Sequence, residues 1–317
     1  MSTVSAVPPP GTRPRAPGRL RLAVCWVTIM SCVPYLLLKV LWLSGYSAGA
    51  ADAGGAAELL DMRHLVGDVV TAGMEIAAVG LVLALTYPWG HRLPVVVVAG
   101  PIWLAAGLLA PIAIGLPLGL LAQTFTGGSP APAGNGLQGW VYVLVYGGFA
   151  VQAVGLPTAF VGHARDRWPG VFRMRMAQLR AASGDRRLAV ITAVIAAGYG
   201  AILAVWSVTA PRWGGPAGFD TVAQRTALLA TGLLVLSGAI AVPALLRRRG
   251  DRPVVVPLVV AWIGTGVTVT AGPTHIALGN HGNVSSVLVS VSLVSVLSGL
   301  LLTRYMIRVL PHRTPGT

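Results

Sequence analysis

The chain is poor in charge. Only 10% of its 317 residues are charged and nine are acidic, whereas ordinary soluble domains carry about 25% charged residues. Such a sequence cannot clothe a surface in contact with water, so the solvent it expects is lipid. Lysine is almost missing: Lys39 is the single one among 23 basic residues. Cysteine is limited to Cys25 and Cys32, seven residues apart in one apolar run. On a helix that spacing is about 10 Å, beyond disulfide reach, so both are expected to be buried thiols packed as small apolar groups. Familiar catalytic signatures are also missing. There is no P-loop, GxSxG, dinucleotide fingerprint, HExxH, Cys/His metal spacing or paired aspartates for phosphoryl transfer. The short loops leave no room for a soluble catalytic domain, and no cofactor is expected.

What is present is apolar length. Hydrophobic residues make up 55% of the chain and mean hydropathy is +0.74. Apolar runs fall at about 22–45, 66–87, 93–116, 139–161, 188–210, 223–246, 254–273 and 284–307. Each meets the need for about 20 residues to cross the hydrocarbon, and a helix is the only open-ended element that satisfies its own backbone there. The expected fold is an all-α polytopic transmembrane bundle of about eight spans. Residues 1–19, Pro-rich and basic, read as a disordered cytoplasmic tail, 20–310 as the bundle and 311–317 as a second cytoplasmic tail. The first run is longer than a signal h-region and is expected to be a retained span. Apolar character in the third run continues through GLPLGLL (115–121), which predicts a kinked end or a short outer helix.

The net charge of +14 could point to nucleic acid, but its distribution does not. The arginines sit in short clusters between apolar runs, as in cytoplasmic membrane loops. With the N-terminus inside, the inner segments hold 19 arginines, and the outer ones hold only Arg63, Arg212 and Arg225. This split predicts both termini in the cytoplasm and an even number of spans. The expected partner is the bilayer, with anionic headgroups at the inner face and no nucleic acid.

Two spacings suggest an internal duplication. Tyr35 and Trp42 in PYLLLKVLW match Tyr199 and Trp206 in GYGAILAVW, and GHRLPVVVV (90–98) matches GDRPVVVP (250–257). Both offsets are about 160 residues, which predicts two parallel four-helix halves, 20–163 and 186–310. The segments PYLLLKVLWLSG, TYPWGHRLP and GLPLGLL resemble those of uncharacterised multi-pass integral membrane proteins of high-GC actinobacteria. The resemblance covers mainly the first three spans. It implies location in a bacterial cytoplasmic membrane and a multi-pass topology, without an activity.

Ionisable groups inside a span are costly and need a partner or a wet cavity. Lys39 lies in the first span, Asp68 and Glu75 in the second. Asp61, His64, Asp68 and Glu75 share one helical stripe, running from the outer mouth to about mid-membrane. By depth, Lys39 falls between Asp68 and Glu75, so a pair with either is expected across the hairpin. The functional reading is a polar path for a proton, cation or small ligand; the structural reading is an ion pair with a protonated Glu75. His275 and His281, in GPTHIALGNHGN, would make a metal site only if they converged with His64 and Asp61, and no metal is expected. In WPGVFRMRMAQLRAASGDRR, Val171, Phe172, Met176 and Leu179 predict a short amphipathic interfacial helix, with Arg173, Arg175 and Arg180 reaching lipid headgroups. Trp42, Trp140, Trp206 and Trp213 are expected in an outer aromatic belt. The small and hydroxylated residues of the last two spans are expected to serve close packing rather than line a pore. Translocation of a small solute, ion or proton is the leading function, a non-catalytic accessory or assembly component the alternative. An intramembrane enzyme built on His64 and nearby acids comes third. A wet crevice reaching Glu75 would favour the first, and a sealed ion pair the second.

Overall fold

A computed structural model describes residues 17–128, 136–180, 186–209, 212–247, 250–278 and 284–311. Among the described residues there are ten α-helices and no strand: α1 (Arg19–Leu43), α2 (Ala53–Leu59), α3 (Met62–Thr86), α4 (Val95–Thr126), α5 (Gly139–Arg167), α6 (Pro169–Arg173), α7 (Arg186–Thr209), α8 (Val222–Arg247), α9 (Val255–Ala277) and α10 (Ser286–Arg308). All but α2 and α6 are long and apolar enough to cross a membrane. The protein is an all-α, multi-pass bundle of eight spans. Large apolar side chains such as Val27, Leu37, Val69 and Ile76 face outward, the reverse of a soluble surface and the arrangement lipid requires. Three helix starts are capped by polar side chains. Asp52, Asp61 and Ser285 each accept a backbone N–H of the helix that follows, satisfying donors that would otherwise be orphaned.

Helices α1, α3 and α5 pack against one another, and α7 packs on α8 and α10. Helix α4 joins the two groups: it touches α5 on one side and lies along α8 and α9 on the other. Its approach depends on glycine. A Cβ on Gly107 would come within 2.5 Å of the Gly266 carbonyl carbon in α9, and one on Gly119 within 2.6 Å of the Ala223 carbonyl oxygen in α8. In lipid, where apolar burial does not itself drive helices together, such backbone proximity supplies the dispersion contact. Thr268, Ser295 and Ser298 are buried, and each hydroxyl donates to a carbonyl of its own helix, in keeping with packing.

Contacts among the loops define two faces. On one, Arg21 at the start of α1 pairs with Asp166 at the end of α5. Arg167 donates to the carbonyls of Gly90 and Leu93, the Met176 N–H to Arg252 and the Arg180 N–H to Val309. This is the arginine-rich face. On the other, Gln138 bonds Gly49, Arg63 bonds Ala277 and Ser285 bonds Gly214.

Four expectations need correction or completion. Helix α4 continues unbroken through Pro101, Pro111 and Pro117, so 115–121 is part of one long helix and not a separate outer element. The segment 169–180 is not one amphipathic helix. It is the single turn of α6 followed by a bridge, Arg175 to Pro253, and a short 3₁₀ turn. Its side chains alternate with a period of two: Arg173 and Arg175 are exposed, whereas Met174 and Met176 are buried in the core shared by α7 to α10. Backbone bonds to the neighbouring loop replace those a helix would have made. Trp42 and Trp206 are core residues, 4% and 3% exposed, while Trp140 and Trp213 are exposed as a belt requires. Helix α2, between the first two spans, was not foreseen. His281 lies outside the described residues, as do five of the 19 inner arginines, Arg13, Arg15, Arg248, Arg249 and Arg313, and most of both tails.

Candidate functional site

Because α1 and α3 form an antiparallel hairpin, residues descending from the same end meet at equal depth. Lys39 and Asp68 do so: Lys39 Nζ lies 2.6 Å from Asp68 Oδ1, with the two residues 5% and 4% exposed. The ammonium also sits 4.5 Å from the Tyr35 ring centroid and 4.6 Å from that of Trp42, within cation–π range. Tyr35 and Trp42 flank Lys39 on its own helix, so α1 alone builds an aromatic cradle for the charge. Asp68 Oδ2 is buried and accepts no hydrogen bond from the described residues.

Two turns further along α3, about 10 Å deeper, Glu75 is 3% exposed. Its oxygens accept from Gln152 Nε2 of α5 at 2.9 and 3.2 Å, and the Cys32 thiol of α1 lies beside it. The stack therefore has three walls, one from each of α1, α3 and α5. Beyond Glu75, toward the arginine-rich face, the interior is mainly apolar: Cys25, Leu81, Val82, Leu85 and Leu156 form one cluster, and the buried hydroxyls of Thr28 and Thr86 donate to carbonyls of their own helices. Both cysteines are free and buried.

At the opposite face the stripe begins in the open. Asp61 caps α3, accepting the His64 N–H at 2.8 Å, and lies 3.1 Å from His64 Nδ1. That backbone hydrogen bond, the largest influence, holds the Asp61 carboxyl below the usual carboxylate range. Glu58 Oε1 is 4.0 Å from His64 Nε2. The four stripe residues thus divide into an exposed Asp61 with a half-buried His64, and a buried pair, Asp68 and Glu75.

Sequence reasoning singled out Lys39, Asp68 and Glu75 but missed Gln152. A lone amide within the otherwise apolar fourth span was the available signal. It also missed His163, fully buried in α5 and stacked on His91 at 4.4 Å between centroids. His275 is buried against Phe219, and among the described residues no three His, Cys, Asp or Glu side chains gather into a metal-ligand set. Arg173, Arg175 and Arg180 are exposed on the arginine-rich face. Arg175 is engaged by Asp251, 2.6 Å from its carbonyl and 3.5 Å from its carboxylate.

Two hollows stand out, of about 500 Å³ between α1 and α5 and about 270 Å³ among α4, α5 and α9. The first is walled by alanine, valine, glycine and two threonines, the second by alanine, leucine, isoleucine and a proline, and neither borders Lys39, Asp68, Glu75 or Gln152. Comparisons with models of known families, with curated proteins and with solved structures gave no match.

Proposed function

We propose that this multi-pass protein is a non-catalytic component of a bacterial cytoplasmic membrane. In this reading the arginine-rich face is cytoplasmic and meets anionic headgroups or a protein partner. The supporting observation is the closure of the α1–α3–α5 stack. Lys39, Asp68 and Glu75 are all at or below 5% exposure, and the polar column gives way to an apolar cluster before reaching the second face. A conduit needs water or exchangeable partners on both sides of its ionisable groups, whereas a structural lock needs them sealed. The likeness to actinobacterial membrane proteins belongs to the same proposal.

A second reading, translocation of a proton or small ion, is favoured by a different observation. Taking the chain as two parallel halves, a reading supported by the buried pairs Tyr35/Tyr199 and Trp42/Trp206, Lys39 corresponds to Leu203. The GHR and GDR turns at 90–92 and 250–252 set the second span at an offset of 160, four less than the 164 of the first, and Asp68 and Glu75 then correspond to Leu228 and Val235. All three counterparts are buried and apolar, so the same architecture closes without charge, and the costly groups invite a task. Proton flux into proteoliposomes, compared between wild type and Glu75→Gln, separates the two. The structural reading expects no flux in either. Flux in wild type that the substitution abolishes would replace it with the second reading.

A further inference from the structure

The larger hollow is a groove on the flank of α1 and α5, and its position relative to the arginines gives it a ligand. Its walls are Ala23, Val24, Val27 and Thr28 of α1 and Ala150, Val151, Val154, Gly155 and Thr158 of α5. The helices come together at Gly155, where a Cβ would collide with Thr28, and at Gly148, where one would lie 2.9 Å from the Ser31 carbonyl oxygen. Small residues on either side of that contact leave the groove open toward lipid. Both hydroxyls in its wall are already spent: Thr28 donates to Val24 and Thr158 to Val154, each at 2.7 Å within its own helix. The groove therefore makes no polar demand and suits a hydrocarbon chain. From 150 to 158 it runs about 12 Å along α5, most of one leaflet of an approximately 30 Å hydrocarbon core.

Its end at the arginine-rich face is charged. On α1, Arg21 continues the stripe of Val24 and Thr28, and Arg19 that of Ala23. On α5, Arg165 continues the stripe of Val151, Val154 and Thr158 at intervals of three, four and seven. Arg19 and Arg165 are exposed. Arg21 is held at the mouth by Asp166 and by the Leu85 carbonyl, with Gly162 beneath it. Three guanidinium groups against one carboxylate leave a net positive rim over an apolar slot. Basic pockets between membrane helices take anionic lipid headgroups, and guanidinium matches phosphate in shape as well as charge.

We infer that the α1–α5 groove is a binding site for one anionic phospholipid, its acyl chain in the slot and its phosphate at Arg19, Arg21 and Arg165. The test is native mass spectrometry of the full-length protein in detergent, titrated with phosphatidylglycerol or with phosphatidylcholine of the same chain length. One phosphatidylglycerol should bind at a concentration at least fivefold lower than phosphatidylcholine. Val154→Trp, which adds bulk from the lipid side at a residue 66% exposed, should remove that first lipid. Arg19→Gln with Arg165→Gln, which leaves the Arg21–Asp166 pair intact, should bring the two lipids to equal affinity. Glycerol 3-phosphate, the headgroup without chains, should not compete. The inference fails if a monodisperse Val154→Trp protein binds phosphatidylglycerol as wild type does. It also fails if wild type shows no preference between the lipids, if glycerol 3-phosphate competes, or if Val154→Trp shifts a dimer to monomer, which would make a second copy the occupant.

Discussion

Replacing Lys39 by Met removes a charge but little volume, and leaves Asp68 facing the interior alone. At 2.6 Å and an effective dielectric of about 20, the direct attraction between the two charges is roughly 6 kcal/mol. Desolvation of both groups offsets much of it, so the net worth of the pair is small, while the cost of breaking it from one side is about 3–5 kcal/mol. The two aromatic contacts to Lys39 add on the order of 0.5–2 kcal/mol each to that loss. Asp68 Oδ2 has no hydrogen bond among the described residues to fall back on. Asp68→Leu should therefore destabilise the protein by about 3–5 kcal/mol and Lys39→Met, which also loses the two aromatic contacts, by about 4–9 kcal/mol, and the double substitution should recover the share due to the unpaired charge. The assay is reversible unfolding in mixed micelles, read as a double-mutant cycle. A double-mutant loss equal to the sum of the single losses, within about 0.5 kcal/mol, would refute the idea that this pair locks α1 to α3.

Four further outcomes follow from the same geometry. Gln152→Leu should destabilise by about 1–3 kcal/mol by stripping Glu75 of its buried donor, and Glu75→Gln should be milder because an amide can still meet Gln152; unfolding of both variants under one condition checks the order. Gly107→Ala places a methyl against the Gly266 backbone with no flexible side chain to yield, so it should cost about 1–3 kcal/mol, measurable as a lower melting temperature in detergent. Asp61→Asn should keep the cap of α3 while losing its charge. Because the folded Asp61 carboxyl is held low, the charge-dependent stability is present at neutral pH and is lost as pH falls through the folded value. The wild-type advantage over Asp61→Asn should accordingly shrink between pH 7 and pH 3 in the same unfolding assay. Finally, the proposed orientation expects a cysteine introduced at Gln178, in a background lacking Cys25 and Cys32, to react with a membrane-impermeant thiol reagent only after the cells are permeabilised; labelling of intact cells would reverse the orientation.

The span count was legible because each crossing helix carries its signal locally, as an unbroken apolar run of the required length. The pairing of Lys39 was legible to within one turn, since depth along two antiparallel helices is a matter of counting 1.5 Å steps. Choosing Asp68 over Glu75 needed a third helix: Gln152 claims Glu75 from α5, and nothing in the first two spans reveals it. The stretch 169–180 misled for the opposite reason. Val171, Phe172, Met176 and Leu179 fit a helical period in isolation, but Met174 and Met176 are drawn into the interior shared by α7 to α10, and at Met176 and Arg180 the backbone bonds Arg252 and Val309 instead of a preceding turn. Trp42 and Trp206 sit near the ends of their helices, where a belt is expected, yet point inward, because Tyr–Trp spacing of seven aligns both rings with the helix face that packs.

The glycine seam of α4 makes the two ends of the gene product dependent on each other. Gly107, Gly115 and Gly119 are fitted to backbone belonging to α8 and α9, and Gln123 accepts the Ala223 N–H at the far end. While the ribosome has delivered only the first four spans, that seam faces lipid with shallow, poorly filled notches. An isolated fragment ending near residue 183 should therefore be short-lived in the membrane. The same fragment co-expressed with the remainder should regain its lifetime, since the late helices act as the scaffold on which an early one is finished.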